Sequence, residues 1–292
     1  MLSYSIYIIQ NHWFHPWNAP GNFDMTNETF ERDGESERLI ARLKVFWKTI
    51  RNLRKKTLNE IDIFEDYSVV LHVKRLYWKC CRLFCFWRHS TPLATMMEAL
   101  PHLHFPKGSC LDYYQSGDDF SSYPTLYVRK STDPRLPNNS PTCLGDLMPK
   151  DIDILDNVRP DFTPEGAWEL ILLMELGDQF NLVRHAGYNE IKIIYDMEEF
   201  FTGKYFGNDF TQYEHELFDI KYLTENERKE LLSWQPAPRV TMGNDAAVVE
   251  YCVFSPFGGF YLVQIKVQFK PVLILSQPIK MKKVHYHCQI IY

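Results

Sequence analysis

At Pro238 the chain changes period. Before it, apolar residues recur at helical spacing, and after it they alternate. Residues 239–242 lead into Gly243-Asn244-Asp245, and 246–254 form an extended run. Pro256-Phe257-Gly258-Gly259 then reverses the chain into 260–269. Two further extended segments, 272–275 and 279–292, follow breaks at Lys270-Pro271 and 276–278. This pattern predicts an antiparallel meander of three to five strands joined by short turns. Helices followed by an antiparallel sheet define an α+β chain.

Upstream the strongest signals are helical. Leu39, Leu43, Phe46, Ile50 and Leu53 step by four and three, so a helix is expected from Glu35 to about Lys56 with one apolar stripe. Thr163-Pro164-Glu165 reads as an N-cap, a first-turn proline and an acidic first turn. The 167–183 body behind it is apolar nearly all round, which predicts a buried central helix with the meander packed on it. Asp196, Thr211 and Thr224 each precede a glutamate by three residues, the spacing of a capping box. Five prolines make 129–163 a long irregular connection ending in that cap. The expected organisation is a loose tail over 1–24, a mainly helical body over 25–234, and a meander over 235–292 that shares its core. Met1 and Met25 are both possible starts.

The segment 69–87 is apolar except for His72, Lys74, Arg75, Lys79 and Arg82. Its helical length, roughly 28 Å, reaches across a bilayer core. Four mid-span cations would each cost roughly 2.5–3.5 kcal/mol to insert, so a core helix with one wetted basic edge is expected instead. Seven cysteines without framework spacing indicate a reducing compartment, and the start lacks a signal-peptide pattern, so a cytoplasmic protein is expected.

Aromatic residues make up 15% of the chain, enough to fill a large core and leave rings for recognition. The net charge of −5 argues against wholesale coating of nucleic acid but permits a local basic face. Such a face is read from Lys48, Arg51, Arg54, Lys74, Arg75, Lys79 and Arg82, interleaved with Trp47, Tyr77, Trp78 and Trp87.

One stretch carries the residues of a covalent chemistry. Cys110, after Gly108-Ser109, would gain nucleophilicity at the start of a helix. His185 would serve as its base, and Asp196 or Asn189 would orient the imidazole. Gly108-Ser109-Cys110 resembles a segment of papain-like proteases, and Cys110-Leu111-Asp112-Tyr113 is similar to the Cys-x-Asp-Tyr stretch of transglutaminase-like folds. Each likeness spans fewer than ten residues, and what they imply is a thiol hydrolase or acyltransferase. His285 and His287 share a strand face and could meet His215 or His104, but no metal-binding spacing accompanies them, so no metal or cofactor is expected. His102 and His104 form a second such pair. Phosphate-loop, dinucleotide-binding and Gly-x-Ser-x-Gly motifs do not occur. The leading expectation is a binding protein with a protein partner, using the aromatic 105–130 stretch and the basic helices. The thiol enzyme is the alternative, and nucleic-acid contact the third reading.

Overall fold

The computed structural model describes residues 34–62, 93–117, 121–136, 153–184, 190–202, 223–255 and 258–284. The expected tail, the 69–87 helix with Lys74, Arg75, Lys79 and Arg82, the Thr211 signal, His185, Asn189, His285 and His287 lie outside them. Helices alternate with antiparallel strands, and the fold is α+β. The chain forms two compact units, residues 42–190 and residues 1–41 with 191–292. Among the described residues, no helix is long and apolar enough to cross a membrane.

The first helix, α1 (Gly34–Asp62), carries the expected stripe: Leu39, Leu43, Phe46, Ile50 and Leu53 are all buried. Within the 42–190 unit, α2 (Ala94–Glu98) precedes β1 (Leu103–His104), β2 (Ser109–Gly117) and β3 (Ser121–Lys130). The last two form a long hairpin, in register from Ser109↔Lys130 to Gly117↔Ser122. Then come α3 (Ile154–Asn157), β4 (Arg159–Pro160), α4 (Pro164–Leu176) and β5 (Val183–Arg184). Strand β4 pairs with β1, and β5 extends the hairpin sheet beside β3.

The cap at α4 is as read: Thr163 Oγ1 accepts the Gly166 N–H at 3.1 Å. Trp168, Leu170, Ile171 and Leu172 are fully buried, which explains an apolar pattern without a polar face. The helix is shorter than its pattern suggested and stops at Leu176. Gly177 ends it, where a Cβ would stand 2.6 Å from Leu126 Cδ1 of the hairpin. A 3₁₀ turn, Gln179–Asn181, then tucks Phe180 edge-on against Tyr113, with ring centroids 4.9 Å apart.

Asp178 lies at that turn. The residue as a whole is only partly buried, but its carboxyl group is enclosed, and desolvation pushes its pKa up to about 6. Gln179 Nε2 donates to it at 3.0 Å and offsets part of this cost. An acid whose pKa is raised by folding stabilises the fold below its unfolded value near 4. That stability is lost as pH rises toward about 6. Asp178→Asn is therefore expected to flatten the decline in Tm between pH 4 and 6 and to stabilise the protein at pH 7.5 by on the order of 2 kcal/mol. Thermal unfolding of both proteins across that range measures it. A parallel pair of pH profiles would contradict it.

In the other unit, β6 (Lys192–Ile194) leads into α5 (Met197–Phe201), and α6 (Glu225–Leu232) precedes the sheet. The Thr224 capping box is complete: its hydroxyl accepts the Glu227 N–H at 3.2 Å, and Glu227 Oε2 accepts the Thr224 N–H at 2.8 Å. The meander comprises β7 (Arg239–Met242), β8 (Ala246–Ser255), β9 (Gly259–Gln268), β10 (Ile274–Leu275) and β11 (Ile279–Val284). Its spine is the β8–β9 hairpin, and each outer edge of that hairpin is shared by two strands. Strands β6 and β7 follow one another along β8, while β11 and β10 do the same along β9.

One half of one sheet face, Cys252, Phe254, Phe260 and Leu262, forms a core with Met197, Phe200 and Phe201 of α5 and with Leu231 and Trp234. Phe200, Phe254 and Phe260 meet there with centroids 4.7–5.4 Å apart. Further along the same face Val248, Glu250, Gln264 and Lys266 are only partly buried or exposed. Among the described residues, the helical cover thus ends halfway along the sheet.

Candidate functional site

Cys110 does not start a helix. It lies on β2, directly opposite Arg129 of β3. Tyr113 and Tyr114 on β2, and Thr125, Tyr127 and Val128 on β3, favour a pleated strand over a helical turn. The expected recognition loop at 105–130 is for the most part this hairpin, and the rings of Tyr113, Tyr114 and Tyr127 are buried in it.

The hairpin's charged centre has a structural task. Asp112 is buried and accepts Arg129 Nε at 2.7 Å and Arg135 Nε at 3.0 Å on Oδ2, and the Tyr113 N–H at 2.9 Å on Oδ1. Arg129 Nη1 reaches on to the carbonyls of Lys130 and Asp133, at 3.1 and 2.7 Å. The Tyr127 hydroxyl accepts the Leu136 N–H at 2.8 Å. These bonds pin the 131–136 turn to the hairpin. Asp196, the suggested orienter, instead caps α5, its Oδ1 accepting the Glu199 N–H at 2.9 Å. Cys252, deep in the sheet, is a thiol whose ionisation burial opposes.

The basic face is partly committed to internal partners. Arg54 binds Glu190 at 3.0 Å, and Arg42 approaches Glu169 at 3.5 Å. Lys48 is exposed and Arg51 partly so.

Arg42 also joins a cluster built by β1–β4 pairing. His102 Nδ1 lies 3.1 Å and His104 Nε2 2.6 Å from the two oxygens of Asp161, and the His102 N–H donates to Glu169 Oε2 at 2.7 Å. Hydrogen bonds from His104 and His102 hold the Asp161 carboxyl below its usual range, whereas burial pushes Glu169 up. Arg42 Nη2 faces His102 Nε2 at 3.4 Å, so Nε2 accepts and the ring proton sits on Nδ1, toward Asp161. A metal at Nδ1 would need that proton moved to Nε2, against the guanidinium. Among the described residues, no three His, Cys, Asp or Glu are arranged to hold a metal ion. The cluster ties residues 102–104 to 159–161.

A concavity lies elsewhere, in the unit that holds the meander. On the edge of β8, β6 pairs as far as Ile194↔Cys252, and β7 begins at Arg239↔Glu250. Between them one chain leaves the edge through 195–198 and another enters through 234–238. The handover leaves a notch of about 520 Å³. Tyr195, Leu232, Trp234, Arg239, Thr241 and Glu250 are among the residues that line it. Among the described residues that line it, Glu35, Asp196, Glu198 and Glu250 are acidic and Arg239 is basic. Gln264 Nε2 steadies Glu250 at 2.9 Å, and Arg239 donates to Gln235. Its volume falls within the usual range of small-ligand sites, about 300–1,000 Å³. Sequence reasoning missed this site because its residues come from four segments that approach only once β6 and β7 share an edge. Family models, curated proteins and solved structures were all compared with the chain, and none matches it.

Proposed function

We propose that the chain is a binding protein and that the notch beside β7 is its recognition site. The carrying observation is the combination, among the described residues lining one concavity, of aromatic side chains, the exposed apolar Leu232 and an excess of acidic over basic residues. Fixed aromatic and apolar surface supplies contact area at small entropic cost, and carboxylates at partial burial select a cationic group. The same unit offers a buried, unreactive Cys252, while Cys110 belongs to the other unit and sits within a strand. A covalent role for either thiol gains no support from these positions.

Glu198 is exposed on the notch wall, so its charge can be reversed with little expected effect on folding. A fluorescent peptide of alternating lysine and threonine is expected to bind the protein at low ionic strength. Glu198→Lys and Leu232→Asp should each weaken it about tenfold, while alkylation by iodoacetamide should leave it unchanged. Loss of binding on alkylation, with both notch variants behaving as wild type, would favour the thiol reading.

A further inference from the structure

The backbone register of β7 indicates how the notch is occupied. Gly243 N donates to Ala246 O at 2.7 Å, which makes 243/246 a hydrogen-bonded pair of the β7–β8 ladder. Such pairs recur every second residue in an antiparallel ladder. Thr241↔Val248 and Arg239↔Glu250 are therefore hydrogen-bonded pairs, and Val240↔Val249 and Met242↔Ala247 are not. The N–H and C=O groups of Val240 and Met242 point away from β8. The same parity sends the Pro238 carbonyl outward, and there the Ser36 hydroxyl donates to it at 3.2 Å. Val240 lines the notch together with Arg239 and Thr241, although its side chain lies on the opposite face of the sheet from theirs. Lining by three consecutive strand residues fits a concavity that runs along the strand's edge. Among the described residues, β7 pairs with β8 alone.

Resting on the proposed recognition site, we infer that the partner is a basic, extended segment of another protein that adds to β7 as an antiparallel strand. Its main chain bonds to Val240 and Met242, continuing the row that Ser36 begins. Strand addition of this kind draws affinity from main-chain bonds and selectivity from alternate side chains. Cross-strand neighbours share a face. Partner residues opposite Arg239 and Thr241 therefore project over the side that carries Glu250, where a lysine or arginine meets the carboxylates. Those opposite Val240 and Met242 supply the backbone bonds and project to the other side. An acidic segment would meet the same carboxylates and be rejected. β7 is a four-residue edge, short enough to avoid indiscriminate pairing.

The test uses the full chain and labelled peptides of eight residues. A lysine–threonine alternating peptide should bind, and a glutamate–threonine one should not. N-methylating the threonine amides should weaken binding about tenfold or more, because these amides face β7, whereas N-methylating the lysine amides should be tolerated. Val240→Pro removes one outward N–H and no β8 bond, so it should weaken binding similarly. The N-methyl peptides give the same reading should that variant misfold. Binding that Glu198→Lys weakens but threonine N-methylation does not would overturn strand addition and leave the recognition site standing. No binding of any peptide would overturn both. Concentration-dependent dimers abolished by Val240→Pro would replace the basic segment with a second copy.

Discussion

Asp112→Ala is expected to destabilise the 42–190 unit by about 3–5 kcal/mol. The side chain is 1% exposed and accepts two guanidiniums through one oxygen. Removing a buried charge costs most when its partner cannot reach water, and the Arg129 side chain is only 13% exposed. The loss should also release the 131–136 turn, because Arg129 would no longer be aimed at the carbonyls of Lys130 and Asp133. Arg135→Ala is the contrast. Arg135 is 39% exposed and Arg129 stays in place, so about 1 kcal/mol or less should be lost. Urea unfolding gives both values, and limited proteolysis reports the turn. Equal, small effects of the two substitutions would refute the anchoring role of Asp112.

Gly166→Ala should be damaging out of proportion to the single carbon it adds. A Cβ there would stand 2.3 Å from the Asp161 carbonyl oxygen and 2.9 Å from its nitrogen, both backbone atoms that cannot rotate aside. The Asp161 N–H donates to the His102 carbonyl at 2.9 Å, so displacing it also pulls on the β1–β4 pairing. Overpacking of this kind costs about 1–3 kcal/mol, and the coupled backbone bond places it at the upper end. Gly34→Ala serves as the control: nothing lies within 4 Å of a Cβ there, and alanine should be neutral or slightly stabilising. A Gly166→Ala protein with wild-type Tm would contradict the close approach of α4 to residue 161.

What the sequence disclosed followed how local each signal is. The α1 stripe, the Thr163 and Thr224 caps and the turn at Gly243 depend on neighbours within a few residues, and each stands where its pattern put it. The hairpin at 109–130 departs from the helix start expected at Cys110 because that residue is one step of a strand held by its pairing with Arg129 across the hairpin. The His102–Asp161 tie spans 59 residues, and the Cys252–Phe254 core draws on α5 and α6, which no periodicity links to β8. The notch is the extreme case. It is the gap left when two distant strands meet end to end on a third, and no motif encodes a gap.

Amide hydrogen exchange along β7 tests the central claim most directly. In the free protein the Thr241 amide, bonded inward to β8, should exchange slowly, while the outward amides of Val240 and Met242 should exchange fast. Saturation with the lysine–threonine peptide should then slow Val240 and Met242 about tenfold or more and leave Thr241 as it was. The account fails if Val240 and Met242 are as protected as Thr241 before the peptide is added, or if saturation leaves their exchange unchanged.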